Sequence, residues 1–325
     1  MKRILDKNQA LGLICALSSS TLFGFSFLAV KLGVSQVSVF TLLSWRFSMA
    51  FLAMTLCVAL GIFRVDFKGK ILWPLLLLSF FQPILYFVSE TYGIQLTSAS
   101  ESGTIIATIP LITLLLMPIL TKEQPTRRQW VSIAISVAGV ILVGVTKGTQ
   151  ASFNPLGYLA LLAAAVSDAV FLNLSRRFGG YTGVEKSYVM AGLGAVIFTG
   201  AAFAEHGAAG TVRDFLLLPF RDSDFLFGCL YLSVGCSVFA FIMRNVAVSQ
   251  LGPGRAGSFA GVTTLVSVLA GVLLLGEGFS PLQGIGTLLV LLGIYGANTL
   301  PAAAQAVEPI QTIPAPLQAT DEKED

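Results

Sequence analysis

Ten apolar stretches run along the chain, and short polar joints separate them. A helix needs roughly 20 mostly apolar residues to cross a bilayer, so each stretch predicts one membrane span. Pro83, Pro110 and Pro118 predict kinks in the third and fourth spans, because proline removes a backbone hydrogen bond. The predicted spans are 10–30, 38–62, 71–93, 97–120, 128–146, 156–175, 183–204, 224–247, 254–275 and 282–300.

The second half of the chain repeats the first. Tyr92–Gly144 aligns with Val246–Asn298 without a gap. Each half holds five spans, an odd number, so the second half enters the membrane in the opposite direction. The sequence therefore predicts an all-α integral membrane protein of ten transmembrane helices arranged as two inverted five-helix repeats. Identical pairs in the alignment include Gly103 with Gly257, Glu123 with Glu277 and Gly139 with Gly293.

Boundaries follow from this pattern and from local composition. The last segment is rich in proline, alanine and glutamine and ends in acidic residues, so we expect it to be disordered. The predicted organisation is a cytoplasmic N-terminus at 1–9, a first repeat at 10–146, a linker at 147–155, a second repeat at 156–300 and a cytoplasmic tail at 301–325.

Composition places the chain in a membrane. Hydrophobic residues make up 55% of it and charged residues only 11%, with a mean hydropathy of +0.82. Soluble domains carry about 25% charged residues, so lipid must solvate much of this surface. Of the 20 lysines and arginines, 15 lie in alternate joints and termini, four lie in the other joints, and Arg46 lies within a span. Because positive residues favour the cytoplasmic side, we expect both termini in the cytoplasm and a multi-pass protein of the cell (inner) membrane.

Several short motifs occur in both repeats. The motifs of the first copy are Leu96–Ser100, Pro110-Leu111, Glu123, Gln129-Trp130 and Ala138–Val140. Those of the second copy are Gly252–Ala256, Leu274–Glu277, Gln283 and Gly293. A further motif, Arg46-Phe47, lies in the second span. Together they resemble the EamA-type repeat of the drug/metabolite transporter superfamily over about residues 10–300. The resemblance implies a ten-helix carrier of small organic metabolites or drugs, often an exporter, that works without ATP hydrolysis.

Charged side chains inside membrane spans are costly, so they are functional candidates by default. Arg46 lies too deep to reach water easily and is expected to need a carboxylate or carbonyl partner, with Glu90 and Glu101 nearest by topology. A structural ion pair and a substrate contact both remain open for it. A buried acid could also carry a proton, so protons are the candidate coupling ion. The candidates for a substrate cavity or coupling site are Arg46, Tyr86, Glu90, Glu101, Asp168 and Asn173.

Two arginines are candidates for an inner vestibule or gate. Arg244 aligns with Glu90 and Arg255 aligns with Glu101, so the inverted repeat predicts an acidic outer vestibule and a basic inner one. The alternative is that these side chains reach water from span ends. Small residues spaced by four are expected to bring helices close together. These are Gly103, Ala107, Gly257 and Gly261.

No cofactor, metal site or catalytic residue is predicted. Gly252–Gly257 matches G-x-G-x-x-G, but membrane spans flank it, and nucleotide binding requires a soluble strand–helix unit. The sequence predicts a secondary transporter, an exporter of small amino-acid-like, polar or amphipathic metabolites or drugs by alternating access. Its expected partners are a small-molecule substrate and the lipid bilayer, with no nucleic acid, as a monomer or a homodimer. A non-transporting membrane partner or sensor, a membrane-embedded enzyme and a channel are the alternatives.

Overall fold

The computed structural model describes residues 7–120, 122, 124–148, 154–178, 180–251, 256 and 259–298, and these residues are almost entirely helical. Eight helices are long and apolar enough to cross a membrane, and two shorter apolar helices complete the bundle. The ten predicted spans are therefore confirmed. The helices are α1 (Gln9–Val34), α2 (Val39–Ala59), α3 (Trp73–Leu96), α4 (Ala99–Leu120), α5 (Arg127–Val145), α6 (Pro155–Ser175), α7 (Gly183–Ala209), α8 (Ser223–Ala247), α9 (Ala260–Leu274) and α10 (Pro281–Ala297).

Local caps fix where several helices begin. The Ser38 hydroxyl accepts a hydrogen bond from the Thr41 backbone N–H at the start of α2. Thr182 and Glu185 form a capping box at the start of α7, in which each side chain bonds the other residue's backbone N–H. These bonds satisfy backbone donors that have no partner inside the helix.

Two helices that align in the repeat are interrupted at matching places. In α3 a π-helical segment, Phe80–Leu85, contains Pro83 and the non-helical residue Gln82 (φ −140°, ψ 115°). In α8 a π-helical segment, Tyr231–Ala240, contains no proline. The proline pattern thus predicted the first interruption and missed the second. In α4 the helix breaks between Ile106 and Ile109, just before Pro110, whereas Pro118 lies inside the continuous helix Ile109–Leu120.

Helices of one repeat pack mainly against helices of the other, in pairs related by a pseudo-two-fold axis. α2 packs on α7 and α5 on α10, while α3 packs on α6 as α1 packs on α8. Individual residue contacts show the same symmetry. A Cβ on Gly12 would lie 2.9 Å from Leu251 Cγ, and a Cβ on the equivalent Gly157 would lie 2.7 Å from Cγ2 of Thr97, which aligns with Leu251.

The outer surface of the bundle is apolar, as lipid contact requires. Large hydrophobic side chains such as Leu52, Val196, Phe227 and Leu273 are each about 70% exposed. Buried aromatic and aliphatic side chains, including Phe47 and Phe198, fill the interior between the repeats. Polar side chains in that interior are therefore surrounded by apolar groups.

Some predicted features fall outside the described residues. These are Arg255, Gly257, most of the predicted linker, the first six residues and the C-terminal tail.

Candidate functional site

Four of the six candidate side chains come together with Gln82 between the two repeats. We call this group the polar centre: Arg46 from α2, Gln82, Tyr86 and Glu90 from α3, and Asp168 from α6. Arg46, Tyr86, Glu90 and Asp168 are each less than a tenth exposed. α2 and α3 belong to the first repeat and α6 to the second, so both halves contribute to it.

Two hydrogen bonds organise the polar centre. The Tyr86 hydroxyl donates to Glu90 Oε1 at 2.6 Å, one helical turn along α3. Gln82 Nε2 donates to Asp168 Oδ1 at 2.9 Å and so joins α3 of the first repeat to α6 of the second. Gln82 is the residue at which α3 leaves helical geometry, so the interruption and the bond between repeats coincide.

Arg46 is held differently from the expectation. Its guanidinium carbon lies 4.4 Å from the ring centroid of Phe87 and 5.9 Å from that of Phe47, in a cation–π arrangement. Its Nε has no hydrogen-bond partner in the described part of the chain, and no carboxylate there lies within ion-pair distance. The expectation was a carboxylate or carbonyl partner, and no carboxylate among the described residues fills that role. Glu90 still interacts with the Arg46 charge at longer range.

Glu101 lies apart from the polar centre, at the first turn of α4. Its Oε2 accepts from the Ser98 backbone N–H at 3.1 Å, and the Ser98 hydroxyl accepts from the Glu101 N–H, which forms a capping box. Its Oε1 accepts from Gln283 Nε2 of α10 at 3.2 Å. These bonds use the carboxylate to begin a helix and to join the repeats, so a coupling role for it remains only a prediction.

Asn173 and Arg244 form no hydrogen bond with residues of the polar centre in the described part of the chain. Asn173 is fully buried, and its Nδ2 donates to the carbonyl oxygens of Ala169 and of Thr113, which ties α6 to α4. Arg244 is exposed on α8, yet its charge still reaches Asp168.

The small residues predicted to pack helices lie at close contacts wherever the structure describes them. A Cβ on Gly103 would fall 2.6 Å from Ser267 Cβ of α9, and one on Gly261 would fall 3.3 Å from Leu291 of α10. Ala107 is buried in the cluster that joins α4 to α10.

The sequence-based candidates did not include two residues of this site, Gln82 and Phe87. In the sequence Gln82 is marked only by its place before a proline in an apolar run. Nothing in the sequence singles out Phe87, because phenylalanine is common in membrane spans.

The sequence matches the EamA-like transporter family over residues 10–145 and again over residues 155–299. The chain belongs to this family. It is therefore a multi-pass membrane protein of duplicated five-helix design, and its EamA-like halves meet at the polar centre.

Two of the three relatives of this EamA-like chain described here are named as transporters. It is 32% identical to the uncharacterized transporter YcxC of Bacillus subtilis, over 88% of this chain and 92% of that protein. It is 23% identical to the WAT1-related protein At1g44800 of Arabidopsis thaliana, over 82% of each chain. It is 27% identical to the uncharacterized inner membrane transporter YedA of Escherichia coli K12, over 64% of this chain and 66% of that protein.

A solved crystal structure shares the fold. It superposes with a TM-score of 0.57 at 18% sequence identity, over 89% of this chain and 96% of the other.

Proposed function

We propose that this EamA-like protein is a secondary transporter that exports small polar or amphipathic metabolites, or drugs, by alternating access. The observation that carries the proposal is the polar centre, which is buried in an apolar bundle and built from both repeats. Buried charged groups of this kind mark substrate and ion pathways in membrane proteins. A site shared by two halves changes its accessibility when the halves rock against each other.

The chemistry of the polar centre suits a solute with a polar end. Arg46 offers a guanidinium with an unpartnered Nε and an aromatic wall, to which a carboxylate and an apolar group could bind together. Glu90 and Asp168 add two carboxylates. If all three groups ionise, one negative charge is left over in an apolar interior, where it is costly. A proton or a cationic group of the solute would balance it, which makes protons the proposed coupling ion.

The distribution of positive charge supports entry of the solute into the polar centre from the cytoplasm. Arg244 lies exposed near the α8 end that the positive-inside pattern places in the cytoplasm, and its charge reaches Asp168. A small apolar cleft of about 20 Å³, room for about one water molecule, lies between α2, α7 and α8 and is lined by residues that include Met54, Ser187 and Asn245. We therefore propose an inner-membrane location with both termini in the cytoplasm. Family membership and the relatives' names favour a carrier over an enzyme.

Extracellular metabolite profiles would test this function. Cells overproducing the parent chain should accumulate at least one solute outside, relative to cells without it. Arg46→Met should reduce that accumulation by about 10- to 100-fold, because a charge-assisted contact contributes about 1.5–3 kcal/mol. Arg221→Met is the matched control, since Arg221 pairs with Asp214 on an exposed helix (Nη1–Oδ1 2.8 Å). Equal accumulation with Arg46→Met would show that Arg46 does not contribute to transport of the solute. A parent profile identical to that of cells without the protein would contradict export.

A further inference from the structure

A carboxylate of the second repeat holds the start of a helix in the first. Glu277 lies in the turn between α9 and α10. Its Oε1 accepts from the Ala99 backbone N–H at 2.6 Å, and its Oε2 accepts from the Ser100 N–H at 3.0 Å and from the Ser100 hydroxyl at 2.6 Å. Ala99 and Ser100 are the first residues of α4. Three hydrogen bonds from one side chain therefore cross between the repeats, and we call this arrangement the latch.

The end of α9 and the turn that carries Glu277 pack closely against the start of α4. Gly276 has a left-handed backbone (φ +65°), and the Glu277 N–H bonds back to the Gly271 carbonyl at 3.0 Å. A Cβ on Gly271 would lie 2.2 Å from Glu277 Oε2 and 2.3 Å from the Ser100 hydroxyl. The latch thus requires glycine at position 271 of α9, which brings α4 and α9 into close contact beneath the carboxylate.

Other polar contacts seal the same end of the bundle. Lys31 Nζ, at the end of α1, donates to the carbonyl oxygens of Ile94 and Gln95 at 2.8 and 3.1 Å and also to that of Thr97. Gln283 bonds Glu101 beside the latch. The alternation of spans places all these groups on the face that the positive-inside pattern predicts to be the outer one.

We infer that Glu277 is the positioning residue that keeps the outer gate closed, and that it must release Ala99 and Ser100 before the polar centre can open outward. This inference rests on the proposed transport by alternating access. Hydrogen bonds from backbone N–H groups to a carboxylate are charge-assisted, and the N-terminus of a helix adds favourable dipole energy. The latch joins α4 and α9, one from each repeat, so rocking of the halves must break it.

The sequence of the second repeat cannot reproduce these bonds. The residues that align with Ala99 and Ser100 are Pro253, which has no N–H, and Gly254, which has no hydroxyl. Two of the three donors are therefore missing there by residue type alone. On this ground we expect closure of the outer face to be the more stable of the two closures.

Labelling of one native cysteine tests the inference without knowledge of the substrate. Cys236 is fully buried on α8, and its thiol donates to the Leu22 carbonyl oxygen of α1 at 3.6 Å, so it lies between the two repeats. A chain that retains only Cys236, with Cys15, Cys57 and Cys229 changed to serine, would be treated in intact cells with a membrane-impermeant maleimide. Glu277→Gln should raise the labelling rate from outside by about tenfold, because charge-assisted bonds are lost.

Two further variants sharpen the test. Ser100→Ala removes one of the three bonds and keeps the carboxylate, so it should raise the rate by a smaller factor even if Glu277→Gln folds poorly. Glu205→Gln is the matched control, because Glu205 Oε2 accepts from the Ser38 hydroxyl at 2.8 Å on the same face but caps no backbone N–H. It should leave the rate unchanged.

The outcomes separate the latch from the transport function. A faster rate for Glu277→Gln and Ser100→Ala, with an unchanged rate for Glu205→Gln, supports the latch. Equal rates in all chains overturn it while metabolite export by the parent still stands on its own assay. An increase in all three variants also overturns it, since that would indicate general loosening of the outer face. Labelling after denaturation with detergent shows that the thiol itself is reactive.

Discussion

Lys122 and Gly276 occupy equivalent positions of the two repeats and share an unusual backbone conformation. Lys122 has φ +62° and Gly276 has φ +65°, both in the left-handed region. Each comes directly before the repeated glutamate, Glu123 or Glu277. Glycine adopts this conformation freely, whereas a residue with a Cβ is strained in it. The repeat has thus retained a turn geometry even where the residue type has changed.

Reciprocal substitutions at these two positions should have opposite effects on stability. Nothing lies within 4 Å of a Cβ built on Gly276, so Gly276→Ala tests backbone strain alone. We expect it to destabilise the protein by about 1–2 kcal/mol and to lower the apparent Tm in detergent. Lys122→Gly should raise the Tm by a smaller amount, because glycine also increases the entropy of the unfolded chain. A Tm that falls in both variants would contradict this account.

At the scale of elements, α5 and α10 are equivalent helices whose backbones lie in close contact. A Cβ on Gly139 would lie 2.5 Å from the Gly286 carbonyl oxygen, and a Cβ on Gly293 would lie 2.5 Å from the Ser132 carbonyl oxygen. Gly139 aligns with Gly293, and Ser132 aligns with Gly286. The two contacts are therefore equivalent positions of the two repeats. Without a hydrophobic driving force in lipid, such backbone proximity is what holds membrane helices together.

Two glycines of α5 offer a matched pair for testing this contact. Gly139→Ala should destabilise the bundle by about 1–3 kcal/mol, because backbone atoms of α10 block the added methyl group and the helices must separate. Gly144→Ala is the control, since its nearest atom would be Cε1 of Tyr158 at an ordinary 3.7 Å. It should leave the Tm unchanged or slightly higher. Thermal unfolding in detergent measures both, and equal losses would show that any alanine in α5 is harmful.

At the scale of the whole molecule, the two repeats carry different charges at positions of the polar centre. Asp168 of α6 aligns with Phe23 of α1, so the acid has no counterpart in the other half. Glu90 aligns with Arg244, which reverses the charge. The backbone is therefore nearly symmetric while the charges are not. A symmetric frame permits two similar states, and the asymmetric charges can favour one direction of transport.

Proton coupling predicts a pH response that depends on the acids of the polar centre. If protons enter as the solute leaves, acidifying the outside should speed export by the parent chain. Asp168→Asn or Glu90→Gln should abolish this response, because a neutral amide cannot carry a proton. Glu101→Gln should keep the response and lower only the Tm, since Glu101 caps α4. Export of the solute, followed at several external pH values, measures all three. An unchanged response in both the Asp168 and the Glu90 variants would exclude these acids as carriers.

The ten helices and their duplication can be predicted from the amino-acid sequence alone. The number of long apolar stretches gives the number of spans. Each such stretch forms a helix in lipid, because a helix satisfies all its backbone hydrogen bonds internally. The alignment of Tyr92–Gly144 with Val246–Asn298 fixed the relation between the halves. Charged residues within spans, such as Arg46 and Asp168, were identifiable because a bilayer makes them costly.

Which of these residues come into contact depends on the packing of the helices and is visible only in the structure. Glu90 and Glu101 look alike in sequence, yet one joins the polar centre and the other caps a helix and contacts α10. Arg46 lies against Phe87 rather than pairing with a carboxylate. Glu277, in a polar joint, bonds a helix from the other repeat. Span length and composition act within one helix, whereas such contacts depend on how ten helices pack.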